Sequence, residues 1–151
     1  MIRNTIPGTA PTPRDMEYLR FACAHGDGEA AVPPSALAAD FGVSRVSAME
    51  KLRRLAAMGY GHYVRGKGLV VNERGREAIR LHLRKHRILE CFLDRNLGLD
   101  HNVGCREAAR IDFYLSDDMV DLISDALGHP TVCPCGNPIP PGPSAGGGGS
   151  P

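Results

Sequence analysis

Apolar positions recur at helical spacing in several stretches, separated by breaks rich in glycine and proline. Tyr18, Leu19 and Ala22 follow Thr12-Pro13, where threonine suits a helix cap, proline the first helical position and Asp15 the third. A first helix is predicted from Pro13 to about Ala24, stopped by Gly26-Asp27-Gly28. Pro33-Pro34-Ser35 opens a short helix over Ala36–Phe41, and Gly42-Val43 turns the chain. Ser44 then caps a longer helix, Arg45–Met58, in which Ala48, Leu52, Leu55 and Ala56 fall at helical spacing. Two β-prone runs, Tyr60–Val64 and Leu69–Val71, flank Gly66-Lys67-Gly68 and predict a hairpin.

Asn72 can cap a long helix from about Glu73 to Asn96. Its stripe of Ile79, Leu83, His86, Glu90, Leu93 and Leu97 is spaced by three or four residues. Two more helices are predicted at roughly Cys105–Leu115 and Asp117–Leu127, then a loop over Thr131–Pro140. The expected fold is mainly α: a winged helix-turn-helix over residues 1–75, a helical domain over 76–140, and a disordered Gly/Pro tail over 141–151.

Helix, turn, capped helix and hairpin is the order of a winged helix-turn-helix, whose second helix enters the DNA major groove. On this reading Ser44 starts the recognition helix, Arg45 reaches guanine, Ser47 a base or phosphate, and Glu50 a cytosine amino group. Lys51 and Arg54 meet phosphate, as do Arg65 and Lys67 on the hairpin turn. The plainer alternative is a small helical core with a solvated basic face. Charge bears on the choice. The net +1 of the 151 residues conceals a first half with ten Lys/Arg against seven Asp/Glu, and a second half with eight against ten. The basic half is the one that would need an anionic partner.

Composition removes other classes. With 42% hydrophobic and 23% charged residues the chain is ordinary globular protein. No apolar run approaches the roughly 20 residues that span a bilayer. Met1–Thr12 lacks the apolar core of a secretory signal, and five cysteines are an odd number for a disulfide framework. A reducing, cytoplasmic location is expected, with the thiols as packing groups or metal ligands.

The metal reading starts at His86 and Glu90, four residues apart on one helical face within an apolar stripe. A buried carboxylate needs a partner, which a cation supplies; a His–Glu hydrogen bond is the competing account. Cys133-Pro134-Cys135-Gly136 places two thiols in a stiff loop, and Cys105 is expected at a helix start, where the dipole lowers a thiol pKa. Cys91 lies about 140° around the helix from His86 and reads as a packing residue or marginal ligand. Cys23 reads as core.

Several segments together resemble the diphtheria-toxin-repressor and manganese-transport-regulator family of metal-dependent transcriptional repressors. They are Arg84-Lys85-His86-Arg87 through Glu90, Gly98-Leu99-Asp100, Glu107-Ala108 with Ser116-Asp117-Asp118, and Cys133-Pro134-Cys135-Gly136-Asn137-Pro138-Ile139-Pro140. The resemblance covers roughly residues 14–140. It implies an N-terminal winged helix and a C-terminal helical metal-binding and dimerisation domain. One family site maps onto His86, Glu90 and Cys105, with Cys133 and Cys135 in the loop; two histidines common in the family are cysteines here. The family's other site draws on positions occupied here by Met16 or Glu17, Ala109, Asp112 and Phe113, and Ala109 and Phe113 cannot bind metal.

The resemblance thus implies a homodimeric DNA-binding regulator, a repressor and not an enzyme. It would bind a palindromic double-stranded operator and use metal to fix the orientation of the DNA-reading domains. Iron is expected, as Fe²⁺ or as an iron–sulfur cluster on Cys105, Cys133 and Cys135 with His86, Glu90 or Cys91 as fourth ligand. Zn²⁺ is the alternative, and Mn²⁺ suits the thiols least. The rival classes are a thiol or redox enzyme and a structural zinc protein built on the same Cys/His/Glu set.

Overall fold

The computed structural model describes residues 10–26 and 29–143. The start of the N-terminal stretch, Asp27-Gly28 of the expected helix stop and residues 144–151 of the expected tail lie outside them. The fold is mainly α. Among the described residues the elements are α1 (Pro13–His25), α2 (Pro34–Phe41), α3 (Arg45–Ala57), β1 (Gly61–Val64), β2 (Gly68–Val71), α4 (Glu73–Leu97), α5 (His101–Ile111) and α6 (Asp117–Ala126), with a 3₁₀ turn at Asp112–Tyr114 before α6. The chain divides into two compact units between Ile79 and Arg80.

Local chemistry sets the helix starts. Thr12 and Asp15 form a reciprocal capping box on α1. Ser44 Oγ accepts from the Ser47 amide at 3.1 Å, Asn72 Oδ1 from Gly75 at 2.9 Å, and Ser116 Oγ from Met119 at 3.1 Å. Each accepts from an amide that the helix leaves without an internal partner.

In the first unit α1, α2 and α3 bury Leu19, Ala22, Leu37, Ala48, Leu52 and Leu55 together with Val32 and Leu69. The hairpin pairs Gly61 with Val71 and Val64 with Gly68, antiparallel. Val32 joins it through a bridge to Leu69. Gly68 is required there: at φ 125° a Cβ would lie 1.9 Å from the Val32 carbonyl oxygen.

In the second unit Leu89 and Leu93 of α4 pack against Ala108 of α5, with Phe92, Leu99 and Leu115 around them. Arg84 and Lys85 of α4 reach Asp121 at 2.7 Å and Asp117 at 3.0 Å on α6. The segment after α6 is tied to α4. Arg87 donates to the Pro138 carbonyl at 2.6 Å, Arg80 to that of Pro141, and the Cys91 thiol faces the Val132 carbonyl at 3.6 Å.

Two expectations change. Helix α5 begins at His101 because Asp100 caps it, accepting from the Asn102 amide at 2.9 Å. Cys105 therefore sits inside the helix and not at its start, so no dipole argument lowers its pKa. Leu97, read as part of the apolar stripe, is exposed at the end of α4.

Candidate metal centre and nucleic-acid interface

The centre lies in the second unit, where α4, α5 and the loop after α6 each contribute donors. One face of α4 carries His82, His86 and Glu90 at successive helical turns. Glu90 is 3% exposed. His86 Nε2 lies 3.7 Å from Glu90 Oε1 and 3.4 Å from Cys105 Sγ of α5. The Cys135 thiol donates to Glu90 Oε1 at 3.2 Å. Cys135 is placed by a turn in which Gly136 N donates to the Cys133 carbonyl at 2.8 Å and Cys133 N to that of Asn137 at 2.9 Å. Pro134 supplies the fixed φ the turn wants, and Gly136, at φ 84°, the left-handed residue that closes it.

These spacings fit a metal ion. Bonds of about 2.0 Å to nitrogen or oxygen and 2.3 Å to sulfur put tetrahedral donors about 3.3–3.8 Å apart. The distances of 3.2, 3.4 and 3.7 Å around Glu90 and His86 lie in or close to that range. Two of the thiols, Cys135 and Cys105, are held toward the protonated form in the absence of a cation. The hydrogen bond to Glu90, followed by desolvation, pushes Cys135 up to about 12. Burial first and Glu90 second raise Cys105. A cation would replace those protons, so binding would release them.

Asp112 changes its meaning. Read as a remnant of a second site, its carboxylate is 4% exposed and holds His86 Nδ1 at 2.9 Å, with His82 Nε2 at 3.7 Å from its other oxygen. A ring held at Nδ1 aims Nε2 at Cys105 and Glu90, the outer-shell arrangement common to metal-binding histidines. The four-residue spacing of His82, His86 and Glu90 was the only mark of this in the chain; the partner on Asp112 was not visible. Ala109 and Phe113 offer no donor at the other family site.

Cys91 is buried, raised by that burial, and directed at the Val132 carbonyl; it joins no donor group among the described residues. Cys23 is half-buried on α1 and not in the core. The iron–sulfur option loses its extra thiolate in this way, and the remaining three thiols are divided between separate donor groups.

The first unit carries the DNA-facing candidates. Ser44 is engaged as the α3 cap; Arg45 and Glu50 are exposed on the first turns of the helix, and Ser47 is half-buried. Arg65 and Lys67 are exposed on the hairpin turn. Lys51 Nζ lies 5.4 Å from the Tyr18 ring centre. Arg54 is engaged within the unit. Its Nε and Nη2 donate to Asp15 at 3.0–3.3 Å and its Nη2 also to the Ala10 carbonyl at 3.2 Å. Its guanidinium ties α3 to the capping box of α1 while the side chain stays 39% exposed. Burial alone would raise Asp15, but hydrogen bonds from Arg54 and Thr12 hold it below the usual carboxylate range.

Comparisons with known proteins relate the chain to metal-dependent repressors. Residues 72–141 match the family model described as "Iron dependent repressor, metal binding and dimerisation domain". The iron-dependent repressor IdeR of Mycobacterium tuberculosis is 35% identical over 95 residues, 63% of this chain and 39% of that protein. A manganese-dependent transcriptional repressor solved with manganese superposes with a TM-score of 0.67 at 31% identity, over 84% of this chain and 58% of that one. A hypothetical protein of Sulfolobus solfataricus superposes with a TM-score of 0.79 at 25% identity, over 86% of this chain and 99% of that one. The chain spans less than two thirds of the length of the curated relatives it matches. No helix among the described residues is long and apolar enough to cross a membrane.

Proposed function

We infer from the membership of residues 72–141 in the iron-dependent repressor family, as its metal-binding and dimerisation domain, that this chain is a metal-responsive DNA-binding transcriptional repressor. The observation that carries the reading is the two donor groups that meet at Glu90, His86 with Cys105 and Cys133 with Cys135, with His86 oriented by Asp112.

His86, Glu90, Cys105, Cys133 and Cys135 are the proposed ligands. Three thiols favour a softer ion than Mn²⁺, so Fe²⁺ is the proposed effector, with Zn²⁺ second. The iron–sulfur cluster is not supported. Arg45, Ser47 and Glu50 are the proposed base readers, and Lys51, Arg65 and Lys67 the phosphate contacts. The protein is proposed to act as a cytoplasmic homodimer on a palindromic operator, each winged helix meeting one half-site. Ile111, Tyr114, Met119 and Leu122, large apolar side chains left exposed on the second unit, supply the material for its interface. The ion's leverage on DNA binding is bounded by its differential affinity for the DNA-competent and incompetent states.

A thiol-enzyme reading is not favoured. A catalytic thiol needs a lowered pKa, whereas Cys135 is pushed the other way by Glu90. The test is selection of DNA from a random duplex library under anaerobic conditions, with Fe²⁺ or with chelator. Enrichment of a two-fold symmetric sequence only with Fe²⁺ supports the reading. No enrichment under either condition, or equal enrichment in both, refutes metal-responsive repression.

A further inference from the structure

Glu90 and the donors around it number five, one more than a tetrahedral ion takes. Among the described residues they form two triads, each with its atoms mutually within 4.8 Å. One is His86, Glu90 and Cys105; the other is Glu90, Cys133 and Cys135. Glu90 belongs to both.

The two triads rest on different supports. His86 and Cys105 are held by neighbouring helices, α4 and α5. Cys133 and Cys135 sit in a closed turn that Arg87 pins to α4 through the Pro138 carbonyl and that Cys91 meets at Val132. Gathering all five donors on one ion would require this anchored turn to shift toward α5. Leaving it in place gives two three-donor subsites that share one carboxylate. A carboxylate has two oxygens and about four lone-pair sites, enough for two cations.

Charge points the same way. Metal-bound thiols are thiolates. Glu90 and three thiolates then bring four negative charges around a carboxylate that is 3% exposed. One divalent ion leaves two of these uncompensated beside the buried Glu90 and Cys133, whereas two divalent ions neutralise the donors.

We propose that the centre is binuclear, taking two thiophilic divalent cations bridged by Glu90, one with His86 and Cys105 and the other with Cys133 and Cys135. This rests on the metal-binding reading above and adds its stoichiometry and the role of Glu90.

The test is titration of the reduced full chain with Co²⁺ under anaerobic conditions, following thiolate-to-Co²⁺ charge transfer, with metal content measured after desalting. The parent should saturate at two equivalents per chain. The Cys133→Ser/Cys135→Ser variant should keep one equivalent with charge transfer from a single thiolate. The His86→Gln/Cys105→Ser variant should keep one with about twice that intensity, while Glu90→Gln should weaken the second equivalent at least tenfold. Saturation of the parent at one equivalent, with all three thiolates appearing in a single step, overturns the bridging proposal and leaves metal sensing standing. A second equivalent that survives removal of Cys133 and Cys135 lies elsewhere and also overturns it. Failure to bind Co²⁺ at all overturns both readings.

Discussion

Replacing Asp112 with alanine separates a bystander carboxylate from one that positions a ligand. Its Oδ2 lies 2.9 Å from His86 Nδ1, and the group is 4% exposed, so little water competes for the contact. Without it the imidazole loses both its preferred tautomer and its rotational restraint, and Nε2 is no longer held toward Cys105 and Glu90. Loss of such an outer-shell partner costs about 10–100-fold in metal affinity, or about 1.4–2.7 kcal/mol. The assay is competition for Zn²⁺ against a chromophoric chelator under anaerobic, reducing conditions, with circular dichroism as the check on folding. At saturation the Co²⁺ spectrum of Asp112→Ala should keep the parent's thiolate bands, since no thiol has been touched. His82→Gln should lose much less, because His82 meets the other oxygen only at 3.7 Å. Unchanged Zn²⁺ affinity in a folded Asp112→Ala protein would refute the positioning role and return Asp112 to a packing residue.

Three other outcomes are expected. Arg45→Ala should weaken binding to a selected operator and relax preference at one base position by about 1–3 kcal/mol, whereas Lys67→Ala should weaken all sequences alike and lower the salt slope by about one; competition binding at several salt concentrations distinguishes them. Arg54→Gln should lower the urea midpoint without altering that salt slope, since its partner is Asp15. The native pKa of Asp15 is depressed, so its stabilisation is fully present above the unfolded-state value and is lost as pH falls through the native one. The gap between parent and Arg54→Gln should accordingly narrow in acid, and a gap independent of pH would contradict the assignment. The double variant Tyr114→Asp/Leu122→Asp should sediment as a monomer where the parent sediments as a dimer, and a dimeric variant would place the interface elsewhere.

What the amino-acid sequence determined by itself is local. Thr12, Ser44, Asn72 and Ser116 mark helix starts because a cap acts on amides two or three residues away. The hairpin follows from β-prone runs around Gly66-Lys67-Gly68, and His86 and Glu90 share a face because the helix repeats every 3.6 residues. The CxC loop and Cys105 stood out as candidate ligands from the residues themselves, and the family resemblance joined them to His86 and Glu90. What tertiary structure decided is everything that depends on groups distant in the chain. Arg54 finds Asp15 across 39 residues, His86 finds Asp112 across 26, and Cys135 finds Glu90 across 45. Spacing carries no record of such pairings. They arise when packing brings two helices or a loop together and a buried charge must be satisfied where it lands. Even the place of Cys105 within α5 belonged to this second kind: Asp100, capping the helix, set its start, but the neighbouring helix decided that the thiol would face His86.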